Sequence, residues 1–576
     1  MNGRVLFKLA AMKNNKCNVW HTRAVLGIYS LVRVIVLQSH TRRKFAAAPR
    51  SLGCRGICRR ALAKIGGKPL NRHTFGVHAH PMSSSSSSSL RCARVVTSKA
   101  SLRQRGDVRA LVYDCNEPLE PGALPATLEQ LEFSHRFNQP LAKGALPASL
   151  RRLKFGQDFN QPLGVGVLPH QLEQLEFGTG FDQALAEGAL PGSLQELRLG
   201  CFFDQPLCPL PPLLRGLRFS DHFNQPLALD TLPRSLVWLE FGGLFDQPLA
   251  ADVLPPSLTR LKFGRNFSHP LPATGLPPAL KCLEIESIRF DHPLGALPPA
   301  LEVLVIGRAF NQPLRNSLPP SLLRLRLCGR FNQPFAASDL PVSLARLELE
   351  CHFDQPLGVG VLPPALVHLE FSGDAYNQQL GVGVLPPSLL RLELSGEFNQ
   401  PIGVGVLPPS LEQLAFGHRF NQPFAAGALP PSLRRLRFGH DFDQPLGAWL
   451  PPALTHLVLG VSCRQALTAP LPPALKYLEL GACFNHALGV GILPPSLDYL
   501  KFGSSFNQPL GAGVLPPALA HLELGRDFEQ AHCVLPPSLV CVQAPHKMYP
   551  VLKSLGVDPK PGYIECQHQE SFREAL

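Results

Sequence analysis

The first 106 residues contain no aspartate or glutamate, although they hold 21 of the chain's 55 lysines and arginines. The other 470 residues carry 34 basic and 42 acidic side chains, so the net charge of +13 averages a basic segment and a mildly acidic remainder. Basic, acid-free composition with a serine run is typical of organelle transit peptides. It also fits a nucleic-acid-binding arm or a disordered extension. We predict that residues 1–106 form a largely disordered N-terminal segment.

The sequence also has no uninterrupted apolar run of about 20 residues, the length that a transmembrane helix needs. The best candidate, Ala24–Leu37, has 14 residues and includes Arg33. The 15 cysteines follow no regular spacing, and no Cys-x-x-Cys occurs, which argues against a disulfide framework and favours a reducing compartment. We therefore expect no membrane span and a cytoplasmic protein. A mitochondrial or plastid location is the alternative if residues 1–106 act as a transit peptide.

Long helices are excluded by 60 prolines and 48 glycines, because an interior proline costs a helix about 3 kcal/mol. The chain instead contains a repeat whose anchor is the Phe of Phe-Asn-Gln-Pro. Nineteen such units run from Phe137 to Phe528 with a mean period of about 22 residues. Self-similarity at a fixed period of this length indicates a solenoid, in which each unit packs on its neighbours.

Each unit follows the pattern Leu-Pro-Pro-Ser-Leu-x-x-Leu-x-Phe-Gly-x-x-Phe-Asn-Gln-Pro-Leu. Its Leu-x-Phe part alternates with period two, as in a strand, while prolines and glycines keep the return arm from forming a helix. The pattern predicts a mainly-β solenoid of about 20 coils, with one short parallel strand per coil and few helices. We assign the solenoid to residues 107–545 and a C-terminal cap and tail to residues 546–576, with a short helix within Met548–Val557.

The recurring combination of Leu-Pro-x-Ser-Leu-x-x-Leu with Phe-Asn-Gln-Pro resembles the FNIP repeat, which is similar to leucine-rich repeats. The resemblance covers about Asn116–Ala544. It implies a leucine-rich-repeat-like solenoid used for protein interaction. It carries no known ligand or active site to transfer to this chain.

Nothing in the repeat predicts catalysis. The recurrent Gly-Val-Gly-Val lacks the third glycine and the helix start of a dinucleotide fingerprint, because Leu-Pro-Pro follows it. The 20 histidines are dispersed and form no Ser/His/Asp or Cys/His grouping. We predict no enzyme activity, no catalytic residue, no cofactor and no metal site. A structural or adhesive rod and a β-solenoid polysaccharide-active enzyme stay open as alternatives to a binding protein.

The residue after the anchor Phe is Asn in ten units and Asp in six. One interpretation is a cation-binding column of carboxylates. The favoured interpretation is a structural ladder of side-chain oxygens that satisfy backbone groups at the turn, since neutral Asn and charged Asp exchange freely. The predicted ladder comprises Asn138, Asn160, Asn311, Asn332, Asn399, Asn421 and Asn507.

Two columns of residues point outward from the strands. One column alternates in charge, as in Glu132, Lys154 and Glu176, and predicts a salt ladder. The other column, two residues earlier, is rich in Arg and aromatics, which anchor interfaces. We predict that a monomer binds a protein partner there, and that nucleic acid is disfavoured by interleaved glutamates. The predicted partner-binding residues are Arg324, Arg346, His368, Arg391, Arg435, Tyr477 and Tyr499.

Overall fold

A computed structural model of the chain describes residues 94–96, 108–250, 252–272 and 276–556. All of these lie in one unit of the chain, Ser85–Leu576. The predicted transit or disordered segment, apart from residues 94–96, and the tail beyond residue 556 lie outside the described residues.

The described chain forms one sheet of 22 short strands, each paired in parallel with the strands before and after it along the chain. The pairing is in register, so that Leu153 lies opposite Leu131 on one side and Leu175 on the other. This confirms the predicted mainly-β, leucine-rich-repeat-like solenoid with one strand per coil. The strands are β1 Arg94–Val96, β2 Ala110–Tyr113, β3 Gln130–Phe133, β4 Arg152–Lys154, β5 Gln174–Glu176, β6 Glu196–Arg198, β7 Gly216–Arg218, β8 Trp238–Glu240, β9 Arg260–Phe263, β10 Cys282–Ile285, β11 Val303–Ile306, β12 Arg324–Gly329, β13 Arg346–Cys351, β14 His368–Glu370, β15 Arg391–Glu393, β16 Gln413–Ala415, β17 Arg435–Arg437, β18 His456–Val458, β19 Tyr477–Glu479, β20 Tyr499–Lys501, β21 His521–Glu523 and β22 Cys541–Gln543.

The leucine and phenylalanine positions of successive coils form one continuous core. The anchor rings stack from coil to coil, with the ring centroids of Phe398 and Phe420 6.2 Å apart and nearly parallel. A second ring from the end of the strand, Phe416, lies 3.9 Å from Phe420 within the same coil. These side chains are at most 4 % exposed. Because each coil buries its apolar side chains against two neighbours, the stack holds the strands in register.

The return arm turns at two glycine positions. In the Gly-Val-Gly-Val element the second glycine, such as Gly405, has a φ of +79°, in the left-handed region that side chains disfavour. The glycine after the strand, such as Gly417, is required for a different reason. A Cβ atom there would lie 1.8 Å from the backbone oxygen of Ser395 in the preceding coil.

The solenoid ends in a 3-10 helix, His546–Met548, followed by one short helix, α1 (Tyr549–Ser554). The buried side chains of Met548 and Leu552 join the end of the core. The helix lies inside the predicted range and is shorter than that range. Within the part of the chain that the structure describes, no helix has the length and apolar character needed to cross a membrane.

Candidate binding surface

The Asn and Asp side chains after the anchor Phe join each coil to the next. The Asn399 side-chain oxygen accepts hydrogen bonds from the backbone N–H of Asn421 at 3.0 Å and from the side-chain amide of Gln422 at 3.1 Å. Both partners donate, so a carboxylate serves equally well, and Asp204 accepts the same pair of bonds from Asn224 and Gln225. The bonds run to the following coil, whereas the sequence had indicated groups within the residue's own turn.

The other residues of the predicted ladder have the same geometry. Each oxygen accepts a hydrogen bond of 2.9–3.0 Å from the backbone N–H one coil later, as seen for Asn138, Asn160, Asn311, Asn332, Asn421 and Asn507. Each side-chain oxygen is thus engaged by a backbone donor of the next coil. Neutral Asn and charged Asp residues make the same contact, which joins neighbouring coils.

The outward side chains of the strands form a surface that we call the strand face. At its N-terminal end the charges alternate, and the Lys154 ammonium lies 3.5 Å from the carboxylates of both Glu132 and Glu176. Arg198 continues the series at 3.9 Å from Glu176. Exposed pairs of this kind contribute little to stability, so their main effect is to balance the surface charge.

Strands β12–β15 carry a tighter ion-pair network. The Glu348 side chain is only 3 % exposed; Arg324 lies 3.0 Å from it and Arg346 is bonded to it. Arg391 donates from its Nε to the Glu393 carboxylate at 2.8 Å. All three arginines are predicted partner-binding residues, and in the structure their guanidinium groups pair with glutamates of the same face.

His368, Glu370 and Glu393 form the one group among the described residues whose ligand atoms could hold a metal ion, within 4.8 Å of one another. The His368 Nε2 lies 3.3 Å from Glu370, and this contact with His368 lowers the pKa of the Glu370 carboxyl below its ordinary value. However, Arg346 lies 3.7 Å from Glu370 and Arg391 is bonded to Glu393. Two guanidinium groups already balance the carboxylates and would repel a divalent cation. We therefore assign the group to the ion-pair network.

The aromatic residues of the same column stack on one another. The rings of Tyr477 and Tyr499 lie 4.5 Å apart and nearly parallel, and His456 lies 5.7 Å from Tyr477. Tyr499 is only 8 % exposed, and its hydroxyl donates to Glu523. The stack leaves little of the Tyr499 side chain for a partner, although the sequence had placed that residue in the partner-binding set.

One apolar feature of the strand face was missed by the sequence analysis. The residue immediately before each of strands β12–β15 is apolar, and we call Leu323, Ala345, Val367 and Leu390 the apolar column. Backbone hydrogen bonds of about 2.8–2.9 Å connect them from coil to coil. Leu323, Val367 and Leu390 are 46 %, 38 % and 40 % exposed. The sequence does contain a signal for this column, because four consecutive units are apolar at a position that elsewhere holds ion pairs such as Lys281 with Glu302.

A model of the FNIP repeat family matches 13 stretches, some of which overlap, from residues 137–180 to residues 506–542. A search of curated proteins gave no match.

Three solved structures are among the similar ones. CroV588, described as a novel circular LRR protein structure, shares 36 % identity with the chain at a TM-score of 0.65, over 76 % of this chain and 72 % of that one. YopM from Yersinia enterocolitica is 25 % identical over 74 % of this chain and 86 % of that one, with a TM-score of 0.43. The TLR13–ssRNA13 complex gives 15 % identity and a TM-score of 0.52, over 73 % and 68 %.

Proposed function

The chain belongs to the FNIP repeat family, and from this premise we propose that it is a non-catalytic scaffold that binds a protein partner along its strand face. Repeat solenoids with a leucine-rich-repeat-like fold are typical of interaction scaffolds and are typically not enzymes. Their stacked coils create an extended binding surface without a cleft for chemistry.

The observation that carries the proposal is the apolar column. Leu323, Val367 and Leu390 are each more than a third exposed. Val367 and Leu390 lie on neighbouring coils, and the half-buried Ala345 lies between Leu323 and Val367. Contiguous exposed apolar side chains bordered by polar groups mark interaction sites. The column borders the ion-pair network of β12–β15, which gives an apolar centre beside a charged rim, the usual anatomy of a protein interface.

For the chain as a whole, we propose a monomer, a cytoplasmic location, and the division into residues 1–106, 107–545 and 546–576, with strand β1 of the first segment pairing with the solenoid strand β2. Fusing residues 1–106 to a fluorescent protein tests the alternative of a transit peptide. Import of the fusion into a mitochondrion or plastid would replace the cytoplasmic assignment. A uniformly cytosolic signal would leave it in place.

The proposed function is tested by proximity labelling of partners in the native cell with two matched variants. Val367→Asp with Leu390→Asp puts charge into the apolar column. Val359→Asp with Val382→Asp puts the same charge into the glycine loops of the same two coils, where the valines are 71 % and 67 % exposed. We expect the column variant to lose at least nine tenths of the labelled partners and the loop variant to keep them.

Three outcomes would contradict the proposal. Retention of the partners by both variants, or their loss in the loop variant alone, would mean that the strand face is not the binding surface. A wild-type protein with no defined set of partners would favour the structural or adhesive rod.

A further inference from the structure

Four basic side chains near the C-terminal end of the strand face have no acidic partner among the residues that the structure describes. Arg435 and Arg437 lie on β17, Arg434 directly precedes that strand, and Lys476 directly precedes β19. We call these four residues the basic patch. No carboxylate of a described residue lies within 4 Å of their charged groups, in contrast to Arg324, whose guanidinium is paired. Arg434, Arg437 and Lys476 are exposed and Arg435 is half-buried.

The register of the sheet explains why the patch is unpaired. Gln413 and His456 lie opposite Arg435 on its two sides, and Ala415 and Val458 flank Arg437. Ala415 and Val458 are therefore neutral at the position that holds Glu370 and Glu393 in the network of β12–β15. Glu412 and Asp498 lie on the coils beside Arg434 and Lys476, but neither carboxylate lies within 4 Å of those basic groups. His456 is neutral at pH 7 and does not add to the positive charge, because burial, with Arg435 and Lys476 nearby, lowers its pKa to about 4.

The patch is small and concentrated. Neighbouring strands are about 4.8 Å apart, so the two steps from β17 to β19 span about 10 Å, and alternate residues on a strand are about 6.6 Å apart. Like charges this close repel one another. An anionic ligand that pairs with them relieves that repulsion and gains charge-assisted hydrogen bonds, which arginine makes in bidentate form with carboxylates.

We propose that the basic patch binds an acidic segment of the protein partner in an extended conformation. This inference rests on the proposed function and names the chemistry of the partner. Two or three carboxylates on an extended chain match the dimensions of the patch, since alternate side chains of such a chain are also about 6.6 Å apart. The patch thus supplies the electrostatic selectivity that the balanced network of β12–β15 does not.

The position of the patch also fits one partner that covers both features. The position before each strand holds Leu390, then Glu412, then Arg434 on three successive coils. Leu390 and Arg434 are therefore about 10 Å apart along the same face. A partner with an apolar anchor followed by an acidic stretch would contact the apolar column and the basic patch together.

Nucleic acid fits the patch less well. Glu393 and Glu412 lie on the coils before it, and Glu479 and Asp498 lie beside and after Lys476. A nucleic-acid strand carries phosphates along its whole length. A strand that crosses the patch would therefore bring phosphates against these carboxylates, whereas a short acidic peptide segment would not.

The test measures the binding to the full chain, by anisotropy at low salt, of a short fluorescent peptide that carries aspartate at three alternate positions. Arg434→Glu with Arg437→Glu reverses two charges of the patch. Arg234→Glu with Arg308→Glu makes the same change in net charge at exposed arginines away from it. We expect the patch variant to weaken the Kd at least tenfold and the matched variant to change it less than twofold. Raising the salt should weaken wild-type binding.

The inference is overturned if wild-type protein does not bind the peptide, or if the two variants bind it equally. Tighter binding of a single-stranded oligonucleotide of equal charge would also overturn it and make nucleic acid the ligand. The labelled partner set separates this result from the proposed function. Loss of partners on changing the apolar column, with no effect of the patch variant, would leave the scaffold standing and reject the acidic segment.

Discussion

At the scale of single residues, the most constrained polar group is the side-chain oxygen that joins one coil to the next. The oxygen of Asn399 satisfies a backbone N–H and a glutamine amide of the following coil, both half-buried. A donor left without an acceptor in such a position costs its desolvation energy. The contact requires only the side-chain oxygen, so Asp can replace Asn at this position of the repeat.

We predict that Asn399→Leu lowers the free energy of unfolding by about 1–3 kcal/mol, because the N–H of Asn421 and the amide of Gln422 lose their acceptor. Urea denaturation measures this. Asn399→Asp, the matched control, keeps the oxygen and should stay close to wild type. A leucine variant as stable as wild type would show that the Asn399 oxygen does not stabilise the contact between the two coils.

His456 makes the stability depend on pH. Burial and the neighbouring Arg435 and Lys476 lower the pKa of its ring from 6.5 to about 4 in the folded protein. The unfolded chain therefore binds the proton first. The contribution of neutral His456 is complete above pH 6.5 and is lost as the pH falls from 6.5 towards 4.

We expect the free energy of unfolding to drop on this account by on the order of 2–3 kcal/mol between pH 7 and pH 4, since each pKa unit corresponds to about 1.4 kcal/mol. His456→Gln should flatten that part of the pH profile, measured by urea titrations at several pH values. His418→Gln, at an exposed histidine, should leave the slope as in wild type. Equal slopes in all three proteins would contradict the assignment.

At the scale of the coil, the two glycines of Gly-Val-Gly-Val have different roles. Gly405 has a φ of +79°, while Gly403 has no positive φ, and a methyl group at either meets only ordinary contacts. The difference between them is therefore conformational and not steric. Asp230, Asp252 and Asn316 adopt positive φ at the position equivalent to Gly405.

We predict that Gly405→Ala destabilises the protein by roughly 1–2 kcal/mol, the cost of a left-handed conformation for a residue with a Cβ atom. Gly403→Ala should be neutral or slightly stabilising, because alanine loses less backbone entropy on folding. Thermal and urea unfolding of the pair decide between these outcomes. An equal effect of both substitutions would contradict the separate roles.

The coil also marks how far the sequence predicts the structure. The Leu-x-Phe alternation predicted the strands of the repeat units, since burial of every second residue leaves no other register. It did not predict β1, which lies in the segment that the sequence predicts to be disordered. The contacts of outward residues were harder to foresee. Whether Arg324 faces solvent or Glu348 of the next coil depends on the lateral distance between coils, which spacing along one chain does not contain. The burial of Tyr499 likewise arises from stacking on Tyr477 of the preceding coil.

At the scale of the whole molecule, stability is distributed along a one-dimensional stack. Each strand pairs only with its two neighbours in the chain. In such arrays the total stability is close to a sum over coils and the interfaces between them. Removing one coil should therefore shorten the protein without changing the fold of the rest.

We predict that deleting residues 399–420, one full period, preserves the β-rich circular dichroism spectrum and lowers stability modestly, because Phe398 then takes the place of Phe420 between matching neighbours. Deleting residues 399–409 removes half a period and should unfold the adjoining coils. Circular dichroism and urea unfolding compare the two. A full-period deletion as damaging as the half-period one would contradict independent stacking.

The exposed valines of the glycine loops have a consequence for selectivity. Val359, Val382 and Val404 occupy the same place on three successive coils and are each more than 60 % exposed. A ligand that recognised only this row of valines would find the same site again after each step of about 4.8 Å. It would therefore bind equally well at several positions along the solenoid. The strand face differs from coil to coil, since its outward residues do not repeat. A partner that binds this face therefore has a single position of best fit, and the regular core sets the distance between the residues that it recognises.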